Sequence, residues 1–182
     1  MSNKEPKLVA RPITKSKEVF QFGVATTSLG IVLVAASDMG ITAIRIGTNA
    51  AHLQEEMHIR FPDIGLVPGG RDFKKLLKEV ISYIEAPTPP FQYALDMRGT
   101  AFQQRVWRAV RKIPLGETST YSDIAREIGS PRAMRAVGSA CTNNTLSIAV
   151  PCHKVLRKNG APSGQRQTVL IQREIAFLKK RK

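Results

Sequence analysis

The segment Pro151-Cys152-His153-Lys154-Val155 places a nucleophile beside a base and a cation. The reactive form of cysteine is the thiolate, and positive charge close to the sulfur favours it, so this composition points to an activated thiol at Cys152. A packed, inert cysteine fits the same local composition, since free cysteine is among the most buried residue types. Ahead of it, Ile148-Ala149-Val150 reads as a short buried strand that delivers Cys152. The chain has 2 cysteines, and the other, Cys141, lies in the segment just upstream. That count excludes a disulfide-stapled scaffold and offers no CxxC pair for zinc, and a reducing compartment is expected. His52 and His58 sit about 240° apart around a predicted helix, cannot share a metal through one face, and read as surface histidines.

Several elements must position Cys152. From Thr100 the pattern is helical, with Phe102, Val106 and Ala109 or Val110 on one side, until Pro114-Leu115-Gly116 ends it. Two short helices follow, predicted over Ser122 to Ile128 and Pro131 to about Ala140. Gly129 suits the residue after a helix C-cap, Ser130 an N-cap and Pro131 a first helical position, so a very short turn is expected between them. A helix-turn-helix has this shape, and its second helix, carrying Arg132, Ala133 and Arg135, would be the one facing nucleic acid. An ordinary helical hairpin with solvated arginines meets the same pattern. Cys141 falls on the second helix and reads as a small packed residue. Asn143-Asn144 then leads into the apolar run.

The first half reads differently. Val19 to Ala36 and Ile41 to Ile46 are apolar runs broken at Ser28-Leu29-Gly30 and Asp38-Met39-Gly40, which predicts strands joined by tight turns. Ala50 to Arg60 reads as a helix, and Phe61 to Gly70, with two prolines and three glycines, as a loop. Between Asp72 and Glu85, Phe73, Leu76, Leu77, Val80, Ile81 and Ile84 form one apolar stripe, which predicts an amphipathic helix. Pro87-Thr88-Pro89-Pro90 stops it and suggests a domain boundary. The expected organisation is a disordered basic lead over 1–18, an N-terminal domain over 19–93 and a C-terminal domain over 94–182. With Lys+Arg 28 against Asp+Glu 14 the net charge is +14, which favours an anionic partner such as nucleic acid. The basic N-terminus lacks the apolar core of a secretory signal, and the longest apolar stretch, Leu29 to Ala36, is far too short to cross a bilayer. A location with DNA, cytoplasmic or nuclear and not secreted, is expected.

Three segments resemble the O6-alkylguanine-DNA alkyltransferases, particularly the C-terminal half of the bacterial Ada protein: LDMRGTAFQQRVWRAVRKIPLGETSTY, SPRAMRAVGSACTNN and IAVPCHKV. The resemblance runs from about Phe22 to Ser163. It implies an α/β (α+β) fold, with a small ribonuclease-H-like N-terminal domain and a mainly helical C-terminal domain holding a helix-turn-helix. It also implies a monomer that binds double-stranded DNA through the minor groove and flips the alkylated guanine out of the stack. The O6-alkyl group, and that of O4-alkylthymine as a further candidate, would pass irreversibly to Cys152, a displacement that needs no metal and no organic cofactor. In family order, Arg135 would occupy the place of the flipped base, and Tyr121 would rotate the nucleotide. Asn144 would tie the recognition helix to the active-site segment, and His153 would deprotonate Cys152 through a water, oriented by a glutamate near the chain end. Arg132, Ala133 and Ser163 would complete the DNA contacts.

Two positions depart from the family pattern. Bacterial members follow Ser-Gly with Tyr-Arg-Trp-Gly, whereas Ser163-Gly164 is followed here by Gln165-Arg166-Gln167, which removes an aromatic surface for the flipped base. The orienting glutamate falls on Lys179 by ungapped count, or on Arg181 if two residues are inserted, and the nearest carboxylate is Glu174. Zinc, which human-type relatives hold through N-terminal ligands, is not expected. The absence of Ada's regulatory half suggests a stand-alone repair enzyme. Two rivals remain at this stage: an alkyltransferase-like protein that binds lesions without transfer, and a helix-turn-helix transcription factor reading sequence through Arg132 and Arg135.

Overall fold

The computed structural model describes residues 18–86, 91, 93–162, 170 and 172. Three strands, β1 (Val19–Thr27), β2 (Gly30–Ser37) and β3 (Gly40–Gly47), form an antiparallel meander. The turns fall at the two breaks read from the sequence. Gly30 and Gly40 take φ of 110° and 139°, a backbone that side chains resist, which is why glycine opens each returning strand. Helix α1 (Ala50–Arg60) follows, capped by Asn49, whose side chain accepts from the amides of Ala51 and His52. His52 and His58 are both exposed on it, as expected.

The chain then forms β4 (Gly65–Pro68), which pairs in parallel with β1 and gives the order β3-β2-β1-β4. The loop expected over 61–70 is corrected here. Its prolines and glycines mask a strand of four residues at the sheet edge, the location where proline is tolerated. Helix α2 (Arg71–Glu85) carries the predicted stripe.

Residues 32–35 are buried on both faces because the sheet is covered twice. Leu33 and Ala35 pack with Leu53 and Met57 of α1. Val32 and Val34 face the larger core, shared with Phe73, Val80 and Ile84 of α2 and with the C-terminal half. The period of two along β2 thus sorts its side chains between two helical layers. The sequence boundary at Pro87–Pro90 lies outside the described residues, as does the lead up to residue 17. Glu18, assigned to that lead, is bonded on both sides: its carbonyl accepts from the Gly65 amide at 2.9 Å, and Arg98 donates to its carboxylate at 2.8 Å.

The second half is mainly helical. Helix α3 (Ala101–Val110) starts at a reciprocal Thr100–Gln103 capping box and buries Trp107, whose indole N–H donates to Ala140 O at 2.9 Å. A two-residue strand β5 (Ser119–Thr120) leads into α4 (Tyr121–Glu127), capped by Thr120 and Asp123. Gly129, at φ 71°, closes α4: its amide donates to Arg126 O, and that of Ser130 to Ala125 O, the paired bonds of a Schellman end.

Helix α5 then spans Met134–Thr142, not Pro131 to Ala140. Ser130 O accepts from the Ala133 amide at 2.8 Å, so Ser130–Ala133 is a turn with proline in its second position, and Ala133 is the N-cap.

The halves meet along the free edge of β3. The Ile41 amide donates to Ala94 O (2.9 Å) and the Ile44 amide to Thr145 O (2.8 Å), so two C-terminal segments cover that edge. A mixed α/β architecture was expected and is observed. No described helix is long and apolar enough to cross a membrane.

Candidate active site

Cys152 opens a single turn of 3-10 helix, Cys152–Lys154, which runs into β6 (Val155–Leu156). The strand expected over Ile148–Val150 does not form. Those residues make an irregular loop in which Ile148 takes φ 75°, and the bonds that fix it are local: the Val150 amide donates to Leu146 O (2.9 Å) and the Cys152 amide to Val150 O (2.8 Å). β6 pairs in parallel with β5, which brings the first residue of α4, Tyr121, beside the cysteine turn. A short two-strand pairing is therefore what sets the nucleophile against α4.

Asn144 organises the loop. Its Nδ2 donates to Val150 O at 2.9 Å and lies 3.4 Å from Cys152 Sγ, while its Oδ1 accepts from the Leu146 amide at 2.8 Å. The residue is buried, so these bonds replace the water its amide gives up. Cys152, His153 and Lys154 are all buried as well. A cavity of about 210 Å³ opens onto Cys152, and its walls include Arg45, Tyr121, Cys141, Asn144 and His153.

The charge expected beside the sulfur is not supplied by Lys154. Its ammonium turns to the loop after α3 and donates to Pro114 O (3.1 Å) and Ile113 O (3.4 Å), pinning the cysteine turn from behind. Contact with the Cys141 thiol pushes the Cys152 pKa well above the usual thiol range, burial adds to this, and the Asn144 amide only partly opposes it. Both raising influences favour the protonated thiol over the thiolate. The expectation of a charge-activated thiolate is corrected accordingly.

Of the residues singled out from sequence, Tyr121, Asn144, Cys152 and His153 come together around one cavity. Arg132 and Arg135 do not line it. Both are exposed, Arg132 in the turn before α5 and Arg135 in its first turn, while Ala133 is half-buried. Ser163, Gln165, Glu174, Lys179 and Arg181 lie outside the described residues. Among the described residues, no three His, Cys, Asp or Glu side chains cluster as metal ligands would.

Two wall residues escaped the sequence reading. Cys141 is more than a packed residue, since α5 carries its thiol to Cys152. Nothing in the spacing indicates that contact. Arg45 did leave a signal, as the one charge inside the apolar strand Ile41–Ile46.

Residues 101–179 match the family described as "6-O-methylguanine DNA methyltransferase, DNA binding domain". The inducible methylated-DNA–protein-cysteine methyltransferase of Bacillus subtilis is 35% identical over 89% of this chain and 86% of its own length. The chain belongs to this family. The bifunctional transcriptional activator/DNA repair enzyme Ada of Escherichia coli is 43% identical over 85% of this chain, and the chain spans 45% of Ada's length. Among solved structures, Mycobacterium tuberculosis OGT in complex with DNA superimposes with a TM-score of 0.67 at 31% identity, covering 87% of this chain and 94% of that one. Cys152 lies inside the segment matched to this methyltransferase family, as do Tyr121, Cys141, Asn144 and His153 of its cavity wall, whereas Arg45 lies outside it.

Proposed function

We propose that the protein repairs DNA by transferring the alkyl group of O6-alkylguanine, and as a further candidate O4-alkylthymine, to its own Cys152. The observation that carries this reading is the buried sulfur at the base of a cavity walled by Tyr121, Asn144 and His153. In the reaction the thiol proton passes to His153 through a water. Sulfur then attacks the alkyl carbon as the carbon–O6 bond breaks, and the departing guanine keeps the electron pair and takes up a proton. The product is a thioether that cellular reductants do not reverse, so each molecule acts once. The relatives named as methyltransferases support this chemistry.

The partner is duplex DNA, engaged by α4 and α5 as a helix-turn-helix in the minor groove. The matched DNA-binding description and the relative solved with DNA support DNA as the partner. Arg135, exposed on α5, fills the stack vacated by the flipped base. Arg132, Ala133 and Ser163 contact the strand, and Tyr121 turns the nucleotide. The target atom lies inside the duplex, so flipping is required. Domain limits of 19–93 and 94–182 and a location with DNA, cytoplasmic or nuclear, complete the reading.

The test is the mass of the intact protein and of its Cys152 peptide after incubation with a duplex bearing one O6-methylguanine, with Cys152→Ser as control. One added methyl group on that peptide, absent in the control, is expected. Tight lesion binding with no gain in mass would identify a damage sensor. Discrimination among undamaged sequences would identify a transcription factor.

A further inference from the structure

The end of α5 is held from the other half of the molecule by two arginines, and they do different things. Arg60, the last residue of α1, donates from Nη1 to Asn143 Oδ1 at 2.7 Å and from Nη2 to the Asn143 carbonyl. Arg45, on β3, donates from Nη1 to the Asn144 carbonyl at 3.2 Å. A helix C-terminus leaves carbonyls without intrahelical partners and carries partial negative charge, so cations belong there. Arg45 is itself fixed. Its Nη2 and Nε reach Glu56 Oε2 of α1 at 2.8 and 3.2 Å, which leaves Nη1 aimed at Asn144. Among the described residues, Arg45 is the one member of the first half that walls the Cys152 cavity, and Arg60 does not reach it.

We propose that Arg45 is a positioning residue for the transfer reaction: anchored by Glu56, it holds the Asn144 backbone so that the Asn144 amide keeps the Cys152 sulfur in line with the alkyl carbon. The chain of contacts is continuous, from Glu56 through the Arg45 guanidinium to the Asn144 carbonyl, and from the Asn144 Nδ2 to Cys152 Sγ at 3.4 Å. In-line displacement is sensitive to misplacement of the sulfur on the order of 1 Å, which costs roughly 100-fold in rate. On the same strand β3, the Ile44 amide donates to Thr145 O and the Ile44 carbonyl accepts from the Ser147 amide, so the anchor sits on a strand bonded directly to the loop after Asn144. Among the described residues, the first half of the chain thus bears on the chemistry through the Glu56–Arg45 pair.

This inference rests on the proposed alkyl transfer, and its test separates the two. Arg45→Met, Arg45→Lys, Glu56→Gln and Arg60→Met are compared with the wild type in two assays. One is single-turnover methyl transfer from an O6-methylguanine duplex, fitted for the rate at saturation and for the half-saturating concentration. The other is carbamidomethylation of Cys152 by iodoacetamide, followed by peptide mass. Arg45→Met is expected to lower the saturating rate about tenfold or more with half-saturation within twofold, and to alter the iodoacetamide rate. Lysine at position 45 should recover part of the loss, Glu56→Gln should lower the rate a few-fold, and Arg60→Met should leave it unchanged.

Equal losses in Arg45→Met and Arg60→Met, or a loss confined to half-saturation, would overturn the proposal. If Arg45→Met does not fold, a wild-type rate in Glu56→Gln overturns it and a reduced saturating rate upholds it. Should the wild type transfer no methyl group, the functional reading fails, while iodoacetamide reactivity still decides whether Arg45 sets the sulfur.

Discussion

Replacing Asn144 with alanine removes three bonds at one stroke, and their partners set the cost. The Leu146 amide loses the side-chain oxygen at 2.8 Å and is left buried without it, a penalty of about 1–3 kcal/mol. The Val150 carbonyl loses a donor but keeps the Cys152 amide at 2.8 Å, so this second loss is that of an ordinary bond, about 1 kcal/mol. The contact to Cys152 Sγ, at 3.4 Å, has an ordinary length for a bond to sulfur, but sulfur is a weak acceptor, so it adds little to stability. The sum is about 2–4 kcal/mol, which for a domain of this size lowers the melting temperature by about 5–15 °C. Far-UV circular dichroism during a thermal ramp measures it.

Asn144→Asp separates stability from chemistry. The carboxyl keeps an acceptor for the Leu146 amide, yet an ionised oxygen would face both the Val150 carbonyl and the sulfur. That arrangement disfavours the thiolate further. The rate of methyl transfer should then fall at least as far as in Asn144→Ala, although less stability is lost. An Asn144→Ala protein that melts within about 1 kcal/mol of wild type and transfers normally would refute the reasoning, because it would mean that the loop holds Cys152 without Asn144.

Further outcomes are expected. Cys141→Ala removes the largest influence raising the Cys152 pKa, so the pH midpoint of Cys152 alkylation by iodoacetamide should move down; an upward or absent shift counts against the contact. Because the folded-state pKa of Cys152 lies above its unfolded value, this thiol favours folding fully below about pH 8.5 and loses that contribution as pH rises further. Urea unfolding of wild type against Cys152→Ser should show the difference growing in the serine protein's favour between pH 8 and 10. Gly129→Ala meets no atom within 4 Å but must hold φ 71°, so it should cost about 1–2 kcal/mol, read from urea midpoints, with transfer unchanged. Arg135→Ala, on an exposed side chain, should leave the unfolding free energy within about 0.5 kcal/mol of wild type while lowering methyl transfer about tenfold.

Periodicity made most of the architecture legible. The Phe73-to-Ile84 stripe, the Asp38-Met39-Gly40 turn and the Ala50–Arg60 helix were all readable because each depends on residues near one another in sequence. Boundaries failed where a tertiary partner decides. β4 exists because β1 offers an edge to pair with, and no local pattern in a segment rich in proline and glycine reports that. α5 begins three residues later than expected because Ser130 uses its carbonyl in a turn instead of capping a helix. At the site, the motif singled out Cys152 and His153, which line one cavity, but the electrostatics were misjudged, since adjacency in sequence says nothing of where the Lys154 side chain points. Its ammonium serves two carbonyls behind the turn.

That misjudgement changes how the thiol must be understood. A thiolate exposed to small electrophiles and oxidants is consumed by them, and under the proposed transfer the product is a thioether, which leaves the sulfur no second use. A buried thiol pushed up in pKa by Cys141 and by desolvation is protected in the resting state, and Asn144 supplies the opposing influence from within hydrogen-bond reach. In the proposed reaction, activation depends on what enters the cavity and on the buried His153 in the same turn, not on a permanent charge beside the sulfur. On this view the loop from Asn144 to Cys152, pinned by Lys154 behind and by Arg45 from β3, trades intrinsic reactivity for placement. The rate is recovered when the alkyl carbon is held in line with the sulfur, where positioning supplies what thiolate population does not.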